Sequence, residues 1–261
     1  MSLPKISSPI FTTTLPSSGE KVKYRPFTVK EEKILLIARE TADIDQIVLA
    51  TQQVINNCII DVDATKLPTF DIEWLLLHVR AASVDGQVKF NIPDPDTKEN
   101  VELEFSIDDV KVYRNPDHTT NIRVSDDYVV FMRYPTIEES FMLFRAAAQQ
   151  HALNKELVNA TKDKDKERIR KELQDLSKNA VEYDIMINCL DKLVGEDEVY
   201  DFSKATKQEI NEFVDSLEPK AIKRIQNFFE TMPNIRHEIH YKNSKGDDKT
   251  FVIQGFDSFF T

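Results

Sequence analysis

The hydrophobic pattern of this chain changes to a period of two in residues 88–105, which read VKFNI at 88–92, PDPDTKEN at 93–100 and VELEF at 101–105. Apolar and polar side chains alternate on both sides of the central loop, as in two strands that each bury one face. The loop consists of residues that favour turns. The stretch therefore predicts an antiparallel hairpin in the middle of the chain.

Helices are predicted on the N-terminal side of this hairpin. Thr28 with Glu31, and Asp43 with Gln46, have the spacing of capping boxes, and Pro68 opens a third helix. Apolar residues follow each start at helical spacing. We assign residues 28–84 to a helical segment, in which we expect the single tryptophan to anchor the core.

Further short strands are predicted on the C-terminal side of the hairpin. They lie near residues 110–112, 121–124 and 128–134, and Pro135 ends the last of them. We assign residues 85–135 to a small antiparallel β insertion.

Helix is predicted to resume after this insertion, where Thr136 and Glu139 have capping-box spacing. Apolar residues between 169 and 190 step by three, four and seven, which predicts one long amphipathic helix. Thr206 with Glu209 begins a shorter one. We assign residues 136–232 to a helical hairpin and short helices.

The two ends of the chain contain strand-forming and turn-forming residues. Residues 1–27 are predicted to form an extended arm or hairpin, and residues 233–261 a β-hairpin with an aromatic tail. The predicted fold class is α+β, mainly helical, with a small antiparallel β unit in the middle and a C-terminal β-hairpin.

Composition excludes several classes of function. The formal net charge is −11, which disfavours binding to a nucleic-acid backbone. Five glycines leave almost no material for a phosphate-binding loop. The two cysteines, Cys58 and Cys189, are predicted to be buried free thiols, with a disulfide as the alternative. No stretch is long and apolar enough to suggest a membrane span.

The sequence contains no motif that predicts catalysis, a cofactor or a metal. The segment His237-Glu238-Ile239-His240 resembles a zinc protease motif, but its histidines have the wrong spacing and lie in a predicted strand. There is no nucleophile elbow and no dinucleotide fingerprint. We therefore predict no catalytic, cofactor-binding or metal-binding residue.

Four blocks of sequence resemble a known family. They are Leu15-Pro16-Ser17-Ser18-Gly19, Tyr24-Arg25-Pro26-Phe27-Thr28-Val29-Lys30-Glu31-Glu32-Lys33, Ile55-Asn56-Asn57-Cys58 and Leu67-Pro68-Thr69-Phe70-Asp71-Ile72-Glu73. With the closing segment 255–260, they resemble the baseplate hub subunits of T4-type contractile-tailed bacteriophages. The resemblance covers the first 85 residues well and the last 25 loosely. Some members carry a Cys-x-x-Cys zinc element in the terminal hairpin, where this chain has no cysteine, so no zinc site is carried over.

The resemblance implies a structural or assembly subunit of the baseplate hub that acts through protein contacts and is not an enzyme. Expected partners are other hub and tail proteins, with several copies in the tail, no nucleic acid and no membrane. The expected location is the virion tail baseplate, after synthesis in the host cytoplasm. The alternatives are a transient hub assembly chaperone that is absent from the virion, and a cytoplasmic hydrolase.

Aromatic and arginine side chains at the two ends of the chain are the candidate partner contacts, because such residues dominate the energy of protein interfaces. In the arm and in the tail, packing against the chain's own core is the alternative to partner contact. The candidates are Phe11, Tyr24, Arg25, Phe27, Phe256, Phe259 and Phe260.

Overall fold

A computed structural model describes residues 6–41, 44–83 and 87–254 of the chain. The chain divides into two compact units. The first unit comprises Met1–Arg114 together with Pro233–Thr261, and the second comprises Asn115–Met232. The second unit is therefore inserted, in sequence, into the first.

The first unit begins with a hairpin, continues with helices and returns to strands. In chain order its elements up to Arg114 are β1 (Phe11–Thr14), β2 (Lys21–Tyr24), α1 (Val29–Thr41), α2 (Ile44–Cys58), α3 (Thr69–Ser83), β3 (Gln87–Pro93), β4 (Asn100–Ser106) and β5 (Lys111–Tyr113).

The second unit combines a small sheet with helices. Its elements are β6 (Asn121–Arg123), β7 (Val129–Met132), α4 (Ile137–Ser140), α5 (Met142–Asn159), α6 (Asp163–Asp175), α7 (Lys178–Asn188), β8 (Leu190–Val194), β9 (Val199–Asp201), α8 (Lys207–Asp215) and α9 (Pro219–Thr231). The chain then returns to the first unit with β10 (Asn234–Lys242) and β11 (Asp248–Gln254).

All strand pairs described in the two units are antiparallel. In the first unit β1 pairs with β2, β3 pairs with β4, and a third sheet has the order β11-β10-β5. In the second unit the sheet order is β6-β7-β8-β9, with an irregularity between Phe131 and Met132.

The α+β fold class predicted from the sequence is confirmed, as are the central hairpin and the terminal hairpin. The strands of residues 85–135 do not form one unit, however. They are divided among three sheets, because β5 pairs with β10 and because β7 pairs with β8. These pairings join residues far apart in sequence, which local patterns do not reveal.

The sequence assigns residues 136–232 to a helical hairpin and short helices, but the structure also has two strands in this range. Strands β8 and β9 lie within this range and complete the sheet of the second unit. The predicted long helix over residues 169–190 is divided into α6 and α7 at Ser177, whose side chain accepts a hydrogen bond from the Ala180 N–H. This N-cap gives the chain a helix start where periodicity alone predicted continuity.

Each unit has its own hydrophobic core. In the first, Leu77 of α3 packs with Ile92, Ile235 and Ile253 from the strands, and the partly buried Trp74 packs against this cluster, as predicted. In the second, the core contains fully buried side chains from the sheet, from the end of α7 and from α9, among them Val130, Cys189, Ile225 and Phe228. Cys58 and Cys189 are buried free thiols, which confirms that prediction.

Replacing the serine that separates α6 from α7 tests the origin of the break. We expect Ser177→Ala to lower the free energy of unfolding by about 1 kcal/mol, because it removes the side-chain acceptor at the first turn of α7. Urea denaturation monitored by circular dichroism measures this change. Ser244→Ala, in an exposed turn, is the matched control and should have almost no effect. Equal losses from both variants would show that the cap does not stabilise α7.

Candidate functional site

A buried carboxylate joins the end of β2 to the start of α1. Glu31 is 1% exposed and accepts hydrogen bonds from Arg25 Nη2 at 3.0 Å and from the Thr28 N–H at 2.9 Å. Asn57 Nδ2, near the end of α2, lies 3.4 Å from the same carboxylate. The Arg25 backbone N–H donates to the Cys58 carbonyl oxygen at 2.9 Å. We call Arg25, Thr28 and Glu31 the first Arg–Thr–Glu cluster.

The charge state of Glu31 follows from these contacts. Burial by itself would raise the pKa of the carboxyl, but hydrogen bonds from Arg25 and Thr28 outweigh burial and lower the pKa to about 2. The hydrogen bond to Glu31 in turn raises the pKa of Arg25. Both groups are therefore charged at neutral pH, and each compensates the other.

The second unit contains the same arrangement. Arg133 Nη1 donates to Glu139 Oε2 at 2.8 Å, and the Thr136 N–H donates to the same oxygen at 2.8 Å. The Arg133 backbone N–H donates to the Cys189 carbonyl oxygen at 2.9 Å. Burial opposes ionisation of Glu139, yet the hydrogen bonds lower its pKa. Arg133, Thr136 and Glu139 form the second Arg–Thr–Glu cluster.

The correspondence extends to the strands on either side of the clusters. A hairpin precedes each arginine, β1-β2 in the first unit and β6-β7 in the second. The residue before each arginine pairs with the residue after the cysteine: Tyr24 pairs with Ile59, and Met132 pairs with Leu190. The same pairing therefore occurs beside both clusters, as an isolated bridge in the first unit and as part of the β7-β8 ladder in the second.

A matching turn follows the strand segment in each unit. Asp63 accepts a hydrogen bond from the Thr65 N–H at 3.1 Å and caps a short 3-10 helix, and Asp201 accepts one from the Ser203 N–H at 3.0 Å in the same way. A longer helix follows each turn, α3 in the first unit and α8 in the second. Residues 11–83 and 121–215 thus contain two copies of one supersecondary arrangement, which we call the repeated motif.

Sequence patterns alone did not identify this repeat. The capping box at Thr136 and the contact of Thr28 with Glu31 agree with the prediction, but sequence patterns do not connect the arginine three residues before each threonine with them. The signal that could have revealed it is the shared spacing Arg-x-x-Thr-x-x-Glu, followed later by Asn-Cys at residues 57–58 and 188–189. The second copy contains more helices than the first, including α6 before the helix that leads to Cys189. Equivalent residues are therefore not separated by a constant number of residues.

The candidate contact residues of the arm lie in different environments. Phe11 is 40% exposed and stacks on the buried Tyr24 with the ring centroids 5.7 Å apart. Arg25 belongs to the first Arg–Thr–Glu cluster. Phe27 is half-buried, and its N–H donates to Ser83 Oγ at 3.1 Å. The structure thus brings Phe11 and Tyr24 together, and Phe256, Phe259 and Phe260 lie outside the described residues.

The β1-β2 hairpin is fixed to the first unit by polar and apolar contacts. Trp74 Nε1 donates to Thr13 Oγ1 at 3.0 Å, and the Ser17 N–H donates to the buried Asp71 carboxylate at 2.9 Å. Leu15, between them, is 2% exposed. The hairpin is therefore part of the folded unit.

Just before this fixed hairpin, the chain exposes large apolar side chains. Ile6 is 96% exposed and Ile10 is 63% exposed, and the exposed Phe11 follows directly. Residues 6–10 form no helix or strand. A short apolar segment is therefore exposed next to a hairpin that packs on its own unit, and exposed apolar patches are typical of protein interaction sites.

A metal site is not indicated in the part of the chain that the structure describes. No group of three or more His, Cys, Asp or Glu residues there could hold a metal ion. In the His237–His240 segment, which resembles a zinc protease motif, His237 packs on the ring of Phe105, and His240 Nδ1 lies 2.9 Å from Thr250 Oγ1. Both histidines of β10 therefore contact a neighbouring strand, His237 through Phe105 of β4 and His240 through Thr250 of β11. No described helix has the length and apolar character that crossing a membrane requires.

Comparison with known proteins identifies the family. A family model described as T4 bacteriophage base plate protein matches residues 8–261, nearly the whole chain. The chain therefore belongs to this family of phage baseplate proteins. Comparison with curated protein sequences and with solved structures gives no match.

Removing the charge of the buried glutamate tests the role of the first cluster. We expect Glu31→Gln to lower the free energy of unfolding by about 3 kcal/mol, because Arg25 would lose its ion-pair partner. Urea denaturation of the full chain measures this loss. Glu32→Gln, at the neighbouring exposed position, is the control and should change stability little. Similar stability of both variants would contradict a structural role for the cluster.

The same cluster predicts a pH dependence of stability. The folded-state pKa of Glu31 is about 2 and its ordinary value is 4.5, so the unfolded chain binds the proton more readily. The contribution of Glu31 should be complete above about pH 4.5 and should be lost as the pH falls toward 2. Denaturation at pH 7, 4.5 and 3 measures this slope. Asp94, with a pKa also lowered to about 2, adds to the acid sensitivity of this unit.

The variant Glu31→Gln isolates the part of the acid sensitivity that Glu31 causes. Its stability should fall less between pH 4.5 and pH 3 than that of the unsubstituted protein, whereas Glu32→Gln should keep the full slope. An unchanged slope in Glu31→Gln would show that the Glu31 carboxyl is not linked to acid unfolding.

Proposed function

We propose that this chain is a structural or assembly subunit of the central hub of the phage tail baseplate and acts through protein contacts without catalysis. Membership of the baseplate family over residues 8–261 carries the proposal. The proposed partners are other hub and tail proteins, and the proposed location is the tail baseplate of the virion.

The exposed apolar segment at the start of the first unit supports a contact role. Ile6, Ile10 and Phe11 are exposed, and full burial of a large apolar side chain typically contributes about 1.5–3 kcal/mol. The fixed hairpin that follows limits the conformational freedom lost on binding. We propose this segment, residues 6–11, as the N-terminal contact.

The other candidate residues have distinct proposed roles. Phe11 contacts the partner directly, and the buried Tyr24 holds the Phe11 ring in place by stacking on it. Arg25 holds the base of the hairpin through Glu31, while the half-buried Phe27 contributes at the edge of the contact. Phe256, Phe259 and Phe260 are proposed as a second contact at the C-terminal end.

Deletion of the N-terminal segment tests the proposal. A variant that lacks residues 2–10 keeps the buried Leu15 and the hydrogen bonds of Thr13 and Ser17, so its melting temperature should be unchanged. We expect its co-purification with hub proteins from infected cells to fall at least tenfold. Val158→Ser removes an apolar side chain that is 84% exposed in the second unit and serves as the control.

Equal recovery of hub proteins with the deletion variant and with the control would remove the N-terminal segment from the contact surface. Mass spectrometry of purified virions is the second measurement. A hub component should be found in the finished tail, whereas an assembly chaperone should be found only with intermediates. Absence of this chain from both virions and tail intermediates would contradict the proposed function.

A further inference from the structure

The second unit contains an open cleft that the proposed N-terminal contact does not involve. Its volume is about 590 Å³, and it lies among α4, α5, α7 and α9. Ligand-binding clefts typically have volumes of about 300–1,000 Å³. The apolar part of the lining comes from side chains that also pack against the core of this unit, namely Leu143, Tyr183, Met186, Ile222, Phe229 and Met232.

The lining also includes exposed polar positions. Glu182 on α7 and Glu230 on α9 provide carboxylates, and Asn179 and Gln226 lie on the same two helices. Carboxylates beside an apolar surface favour a ligand that combines apolar groups with positive charge. The net charge of −11 favours a basic partner as well.

The helix of the first unit that corresponds to α7 is α2, which allows the two copies to be compared at this face. Aligning Cys58, the last residue of α2, with Cys189, which follows α7, places Thr51 at the position of Glu182, and Val54 and Ile55 at the positions of Ile185 and Met186. Thr51 is 0% exposed, whereas Glu182 is exposed. Val54, Ile55, Ile185 and Met186 are all buried, so the copies differ at the position of Thr51 and Glu182, which is covered in the first copy and exposed in the second.

The residue before each capping threonine also differs between the two copies. Phe27 precedes Thr28 in the first copy, and Pro135, a lining residue of the cleft, precedes Thr136 in the second. Pro135 is buried and Phe27 is half-buried, so the copies differ here in the size of the side chain.

From these observations, and on the basis of the proposed baseplate function, we propose that the cleft binds a segment of another baseplate protein that presents large apolar side chains beside lysine or arginine. The apolar lining accepts the apolar side chains, and the exposed Glu230 carboxylate contacts the basic ones. Met186 and Met232 adapt the lining to the shape of the segment, because methionine is flexible and polarisable.

Site-specific photo-crosslinking tests the occupant directly. The photoreactive residue p-benzoylphenylalanine replaces Gln226, an exposed lining residue, in the full chain during phage infection. The same residue at Glu167, exposed on α6 and outside the cleft lining, is the control. Asn179 on α7 is a second cleft position and keeps the test valid if the first substitution impairs folding.

We expect crosslinks at a cleft position to exceed those at the control at least fivefold, and mass spectrometry should identify an apolar segment with adjacent lysine or arginine from a baseplate protein. Yields equal to the control would overturn the proposal. A crosslink to a second copy of this chain, to its own C-terminal segment, to an acidic segment or to a small molecule would also overturn it.

Charge reversal provides a second measurement on the same cleft. Glu230→Lys should lower the yield of the crosslink from Asn179 at least fivefold, while Glu212→Lys, exposed on α8 outside the lining, should leave it unchanged. Equal effects of both variants would overturn the role of the lining carboxylate. Because the N-terminal contact is assayed separately, loss of the cleft proposal would leave the baseplate function intact.

Discussion

The structure depends on how each unit compensates a carboxylate that is withdrawn from water, fully for Glu31 and partly for Glu139. Glu31 can remain ionised at 1% exposure only because Arg25 and Thr28 surround it with donors. Those donors belong to the end of a strand and the start of a helix, and the Arg25 backbone also binds the end of α2. The hydrogen bonds of Arg25 and Thr28 therefore connect three elements of the first unit, β2, α1 and α2. The second unit meets the same requirement with Arg133, Thr136 and Glu139.

This requirement also gives the two cysteines a structural role. Each cysteine carbonyl accepts the hydrogen bond from the backbone N–H of a cluster arginine, while its side chain is fully buried. Burial raises the pKa of the Cys58 thiol to about 11 and that of the Cys189 thiol to about 12. Both thiols are therefore protonated at neutral pH, and they fill space as small apolar groups. A thiolate at either position would be costly, which makes these residues unsuited to nucleophilic chemistry.

Local sequence signals predicted the parts of the fold that depend on neighbouring residues. The capping boxes gave the starts of helices at Thr136 and Thr206, and alternation gave the hairpin of β3 and β4. Pairings between distant strands were missed, because β8 offers only a short apolar pattern that also fits the end of a helix. Arg25 was assigned to a partner contact because arginine is common in interfaces, whereas its ion pair with Glu31 depends on the three-dimensional turn between β2 and α1.

The two copies of the repeated motif show how one stable arrangement can support different surfaces. The residue types that surround the carboxylate are the same in both copies, so the ion pair restricts which residues can occupy these positions. Residues around this ion pair differ between the copies. The buried Thr51 corresponds to the exposed Glu182, and Phe27 corresponds to Pro135, which lines the cleft. A rigid framework reduces the entropy lost when its surfaces bind, since the contact residues are already positioned. A baseplate protein that must make several specific contacts gains most from this arrangement, because each surface can change its partner chemistry without altering the ion pairs that hold the unit together.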